Sequence, residues 1–192
     1  MVSIDACMGL IIWFPEVPCK IKDAREKVDF LLEGLEKSRE KILIPAPALA
    51  EILVHAGPAG PEFLATVMKS SRFQIAPFDT MAAVEVAEAI KRARKSGNKR
   101  GKSKDNWQKI KYDHQIVAIS KVAGASVLYS NDGPLSNFAE INGLRVIQLA
   151  DLPSPPSKTP LFDGVAELAE PTLEEKPNPL LLPAPSPKDP SA

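Results

Sequence analysis

Apolar positions along the chain recur with two periods. Five short runs, Met1–Ile4, Lys41–Ile44, Arg72–Ile75, Ser126–Ser130 and Arg145–Gln148, are β-branched or apolar with turn residues between, which predicts strands. Val28, Leu31, Leu32 and Leu35 stand at i, i+3, i+4 and i+7, as do Ala83, Val86, Ala87 and Ile90, the spacing of an apolar helix face. Asp79-Thr80 offers an N-cap for the second helix. Gly97 and Gly101, set among lysines, mark a polar loop. Helix resumes near Tyr112, runs to Val122 and stops at Gly124. Short strands alternating with longer helices predict an α/β fold with a mostly parallel sheet.

Composition changes this picture at one end. Asp151 to Ala192 holds 11 of the 19 prolines and seven acids against three lysines. Such a segment buries too little apolar surface to offset its ordering entropy. The expected organisation is one domain over residues 1–150 followed by a Pro-rich, acidic, disordered tail, with the boundary near Leu152-Pro153. The 24 basic and 24 acidic residues balance overall, but ten Lys/Arg and one acid lie between Lys91 and Lys111. No apolar run approaches the ~18 residues of a membrane span, and Met1–Asp5 has no basic leader. Two cysteines, Cys7 and Cys19, are too few for a disulfide framework or a zinc site of their own. The expectation is a cytoplasmic protein with reduced thiols.

Four acids stand in apolar company. Asp5 is the only charge before Glu16; Glu51 is the only one in Ile44–Val54; Asp113 opens a helix that continues His-Gln-Ile-Val-Ala-Ile; Asp132 closes Ser126–Asn131. A buried carboxylate without a partner costs several kcal/mol or protonates. Asp5 and Asp132 both follow strands, which sets them at the carboxyl edge of a parallel sheet, where open α/β folds bind ligands. Carboxylates gathered there repel one another unless a divalent cation neutralises them, and oxygen donors suit Mg²⁺ or Mn²⁺. Three of the acids also have a plainer reading: Asp5 and Asp113 as helix caps, Asp132 as turn chemistry. Glu51, in mid-helix, has no such role.

Met1–Asp5 with its following apolar helix, Pro47-Ala-Leu-Ala-Glu51, Tyr112-Asp113-His114-Gln-Ile-Val-Ala-Ile and Tyr129-Ser-Asn-Asp132-Gly-Pro-Leu resemble the PIN-domain nucleases. Within them the chain is most similar to the VapC-type toxins of toxin–antitoxin modules. The resemblance covers residues 1–150 and leaves the tail outside. It implies a three-layer α/β/α fold with a five-stranded parallel sheet of order 3-2-1-4-5, and Mg²⁺- or Mn²⁺-dependent endoribonuclease activity. It implies that Asp5, Glu51, Asp113 and Asp132 bind metal and form the catalytic site. Ser130 matches the hydroxyl residue two before the last acid, which would orient the site by hydrogen bonding. An antitoxin protein is the implied partner beside the RNA substrate. The basic insertion before Asp113 and the Pro-rich tail depart from the family pattern.

Around such a site, Lys99, Arg100, Lys102 and Lys104 would bind the RNA backbone, with salt-sensitive affinity. Trp107 would either stack on an unpaired base or fold onto the core. His114 would contact substrate or lie at the surface; His55 would pack in or near its helix. The apolar stretch Met8–Phe14 is either core or the self-complementary surface of a homodimer. Three competing functions stay open: a catalytically silent RNA-binding or interaction module, a housekeeping RNA-processing nuclease, and a phosphoacceptor signalling domain. The last is disfavoured because the third strand, ending Phe73-Gln-Ile-Ala-Pro77, carries no acid.

Overall fold

The structure is a computed structural model that describes residues 1–14, 16–95 and 107–156, with the backbone alone at 94, 107 and 108. Lys99, Arg100, Lys102 and Lys104, expected to bind RNA, and the tail from residue 157 onward lie outside the described residues.

Five strands form one parallel sheet: β1 (Val2–Ile4), β2 (Ile42–Pro45), β3 (Phe73–Ala76), β4 (Val127–Tyr129) and β5 (Arg145–Ile147), in the order β3-β2-β1-β4-β5. This is the expected PIN-like order. Strand order reverses between β1 and β4, so the carboxyl ends of those two strands flank the natural crevice of the fold.

Among the described residues, seven α-helices surround the sheet: α1 (Ala6–Trp13), α2 (Ala24–Lys37), α3 (Ala46–Ala56), α4 (Gly60–Lys69), α5 (Thr80–Lys95), α6 (Trp107–Val122) and α7 (Gly133–Ile141). Strand residues alternate between the faces. Val2, Ile4, Ile42 and Ile44 join Met8, Ile12 and Trp13 of α1, Val28 and Leu32 of α2, and Phe63 and Val67 of α4 in the main core. Leu43 of β2 instead meets Ala82 of α5 and Ala118 and Ile119 of α6. Ser3 of β1 shares a 2.7 Å buried hydrogen bond with Ser120 of α6, which ties that helix to the central strand.

The core reading of Met8–Phe14 wins over the dimer surface. Met8, Gly9, Ile12, Trp13 and Phe14 are buried, and Trp13 packs on Phe63 and Phe73 with ring centroids 4.9 and 5.2 Å away.

Two expectations about helices need correction. On α5 the buried positions are Ala82 and Ala89, while Ala83 and Ala87 are exposed. Alanines occur in both phases of that helix, so periodicity could not choose between them. Asp79 does cap it, accepting from the Ala82 N–H at 2.8 Å. Helix α6 begins at Trp107 rather than near Tyr112, so Asp113 lies in the second turn and does not open the helix.

At the other end, Leu149 and Leu152 are buried in the main cluster, and Lys27 of α2 donates to the Ala150 carbonyl at 2.7 Å. The packed chain therefore reaches at least Leu152.

Candidate active site

The site is built where β1 and β4 run out. The Asp5 N–H donates to the Tyr129 carbonyl at 3.1 Å, carrying the ladder one residue past the paired strands and setting Asp5 beside Ser130. Asp5 is 2% exposed. Its Oδ1 accepts from the Met8 N–H at 2.8 Å, capping α1, and its Oδ2 accepts from the Ser130 hydroxyl at 2.5 Å. The same Ser130 oxygen accepts from the Asp132 N–H at 3.0 Å. Asp132 in turn caps α7, taking the Leu135 N–H on Oδ1 at 3.0 Å. Ser130 thus links the two acids across the switch point.

Glu51 arrives on a different support. Helix α3 starts directly after β2, and Gly9 lets it approach α1 closely: a Cβ on Gly9 would fall 2.4 Å from Ile52 Cδ1 and 3.1 Å from its Cγ1. Gly9 is one helical turn beyond Asp5 and Ile52 adjoins Glu51, so this contact draws the two acids together. Glu51 itself is exposed, not buried as its apolar neighbours suggested.

Electrostatics tie these groups into one cluster. Burial pushes the Asp5 carboxyl up from 3.8 to about 6; its hydrogen bonds oppose that rise, and the charges of Asp132 and Glu51 add to it. Glu51 is raised by loss of water around its carboxyl, against the pull of Lys109 and with a further push from Asp132. The Cys7 thiol, which reaches the surface, is pushed up to about 12 by desolvation and then by Asp5, Asp132 and Glu51. A thiol held that high is no nucleophile.

Asp113 is buried on α6. Lys109, Asp113, Ile116 and Ser120 follow one another at i, i+4, i+7 and i+11, a single stripe along that helix. Ser120 is pinned to the middle of β1, and Asp113 precedes it by about 10 Å along the helix axis. As α6 feeds β4 by a crossover, its N-terminal half lies toward the carboxyl edge of the sheet, which sets Asp113 on the site's side.

Among the described residues, no three His, Cys, Asp or Glu side chains stand close enough to hold one ion together. The donor chemistry nevertheless suits Mg²⁺ or Mn²⁺, which keep several waters and take only one or two carboxylates. Asp5 is the observation that favours a cation: a buried carboxylate whose neighbouring charges, Asp132 and Glu51, are both negative.

Periodicity and motif reading missed Lys109, whose Nζ lies 2.7 Å from Asp132 Oδ2. Its i, i+4 spacing from Asp113 was the available signal. His114 is neither a substrate contact nor a surface residue. It is buried and stacked on Phe138 at 3.8 Å, its Nδ1 has no hydrogen-bond partner, and burial lowers it to about 4. His55 is exposed in the last turn of α3.

The fold has solved counterparts. A chain of the VapBC2 structure from Rickettsia felis, bound to a DNA fragment from their promoter, matches with a TM-score of 0.51 at 18% identity. The match covers 77% of this chain and 98% of that one. A chain of DNA-bound VapBC from Salmonella typhimurium matches with a TM-score of 0.49 at 21% identity, over 78% and 99% of the two chains. No family model matches the chain, and no curated protein does. At these identities the likeness is one of fold: the chain has the three-layer, PIN-like architecture that the resemblance implied.

Proposed function

We propose that this protein is a Mg²⁺- or Mn²⁺-dependent endoribonuclease and the toxin of a toxin–antitoxin pair. The observation that carries the nuclease reading is the buried Asp5 carboxylate, linked by Ser130 to Asp132 at the β1/β4 switch point and within the field of Glu51. The toxin role rests on the resemblance to VapC-type toxins and on the fold shared with a chain of the Rickettsia VapBC2 complex. An antitoxin segment covering the acidic pocket is the corresponding partner.

Asp5 and Asp132 would hold the metal; each gives its Oδ1 to the helix it caps, and each Oδ2 has a polar partner, Ser130 for Asp5 and Lys109 for Asp132. Asp113 completes the negative wall from α6. Glu51, exposed and raised above the ordinary carboxylate range, is suited to accept a proton from the attacking water at its carboxylate oxygens. The bound cation supplies an acidified water and offsets charge on the phosphoryl oxygens. Lys99, Arg100, Lys102 and Lys104, just before α6 in sequence, neutralise RNA phosphates on the way in.

A second reading, a catalytically silent module with the same fold, is favoured by one feature. Asp132 already has a cationic partner in Lys109, and Asp5 already has two hydrogen-bond donors. Cleavage of a mixed RNA pool by the purified chain, with Mn²⁺ and then with EDTA, separates the two. Mn²⁺-dependent cleavage that is lost in folded Asp5→Asn supports the nuclease. Equal activity of Asp5→Asn and wild type, or no cleavage under any metal, overturns it.

A further inference from the structure

We propose that Lys109 is a built-in counter-cation of the carboxylate site, and that a divalent metal must displace its ammonium from Asp132 to load. The inference rests on the metal-site reading above and adds a gate to it.

Asp132 has two oxygens with separate commitments. Oδ1 is taken by the Leu135 N–H, and Oδ2 by Lys109 Nζ at 2.7 Å. Oδ2, the oxygen not used for the cap, is the one the ammonium occupies. Lys109 also acts on the rest of the cluster, since its charge opposes the upward push on both Glu51 and Cys7. It belongs to the α6 stripe that carries Asp113 one turn further on. Among the described residues, the Lys109 ammonium thus stands against Asp132 and within the field of Glu51.

The contact is of a kind that can give way. The Lys109 side chain is 47% exposed and that of Asp132 16%, so the pair is partly solvated and its net strength modest. Lysine is a point charge on a flexible stem, without the two-pronged grip of arginine on a carboxylate. A divalent ion brings twice its charge and prefers carboxylate oxygen and water as ligands. An ammonium released from Asp132 stays tethered at the edge of the crevice, where an RNA phosphate arrives. Phosphate and metal would then favour one another's binding, because each relieves the same ion pair.

The test is Mn²⁺ binding by isothermal titration, with wild type, Lys109→Gln, Lys109→Arg and Asp5→Asn, each checked for folding by circular dichroism. Lys109→Gln should bind Mn²⁺ about fivefold more tightly, the ratio that breaking a partly exposed ion pair implies. Lys109→Arg, which keeps the charge, should bind no more tightly than wild type. In EDTA, Lys109→Gln should melt below wild type and recover on adding Mn²⁺. Equal Mn²⁺ affinity in wild type and Lys109→Gln, with Asp5→Asn defective, would overturn the gate and leave the metal site standing. A Lys109→Arg chain that gains affinity as Lys109→Gln does would also overturn it. Failure of wild type and Lys109→Gln alike to bind Mn²⁺ would overturn both the gate and the site.

Discussion

Replacing Asp5 by Asn should make the metal-free protein more stable near neutral pH while destroying the site. Asp5 titrates at about 6 in the folded chain against 3.8 as a model group. Two units at about 1.4 kcal/mol each make ionised Asp5 cost the fold about 3 kcal/mol at pH 7.5. An acid whose folded pKa lies above its unfolded one favours folding while protonated. That contribution is complete below pH 3.8 and is lost as pH rises through 6. Asparagine keeps the neutral form at every pH, and its oxygen can still cap the Met8 N–H. The Ser130 hydroxyl then faces an amide in place of the Oδ2 acceptor, at a cost of about 1 kcal/mol. The net gain is about 2 kcal/mol at pH 7.5, or about 4–8 °C in Tm. At pH 3.5 the gain should vanish and turn into a small loss.

Urea melts of both chains in EDTA, from pH 3.5 to 7.5, read this directly. Groups common to both chains cancel in the difference. An Asp5→Asn chain less stable than wild type at pH 7.5 would refute the burial argument, as would a stability difference that does not change with pH. Saturating Mn²⁺ should reverse the order by stabilising wild type alone.

Two further perturbations probe the scaffold. Gly9→Ala puts a methyl 2.4 Å from the buried Ile52 Cδ1, which should cost about 1–3 kcal/mol and weaken Mn²⁺ binding as α1 and α3 part; thermal melts and titration check both, and unchanged binding would separate Glu51 from the site. A chain ending at Ser154 keeps the buried Leu152 and should melt cooperatively at about the full-length temperature; a large loss would mean that Leu161-Phe162 or Leu180-Leu181-Leu182 docks on the domain.

The strands were legible because each is a short apolar run whose flanks change character abruptly, and all five lie within a residue or two of expectation. Their order came from the family resemblance, since periodicity alone does not sort strands within a sheet. The start of α6 was illegible for a physical reason. Trp107-Gln-Lys-Ile-Lys reads as the end of a basic run, and among the described side chains there the buried Ile110 is what marks a helix. Glu51 misled because α3 is apolar on more than its buried side. Ala48, Ile52 and Ala56 are covered at i, i+4 and i+8, while Val54 is largely exposed beside Glu51. Lys109 was invisible as a partner because a charge count records its sign without saying which carboxylate it meets.

The helix caps at Asp5 and Asp132 are compatible with the metal site proposed for them. Each acid spends a single oxygen on the N-terminus of the helix that follows, and that bond fixes where the second oxygen points. A helix N-terminus is itself a favourable place for a negative charge, worth up to about 2 kcal/mol in partly buried settings. Asp5 has that benefit and a 2.5 Å bond from Ser130 besides, yet its carboxyl still sits well above the ordinary range. Desolvation and the two neighbouring acids therefore outweigh the cap and the hydroxyl together. A carboxylate used only for capping has no reason to accept that burden, since Asn would cap as well without it. The excess is what a bound cation would remove; Lys109 meets Asp132 and lowers Glu51 from α6 but leaves Asp5 above the ordinary range.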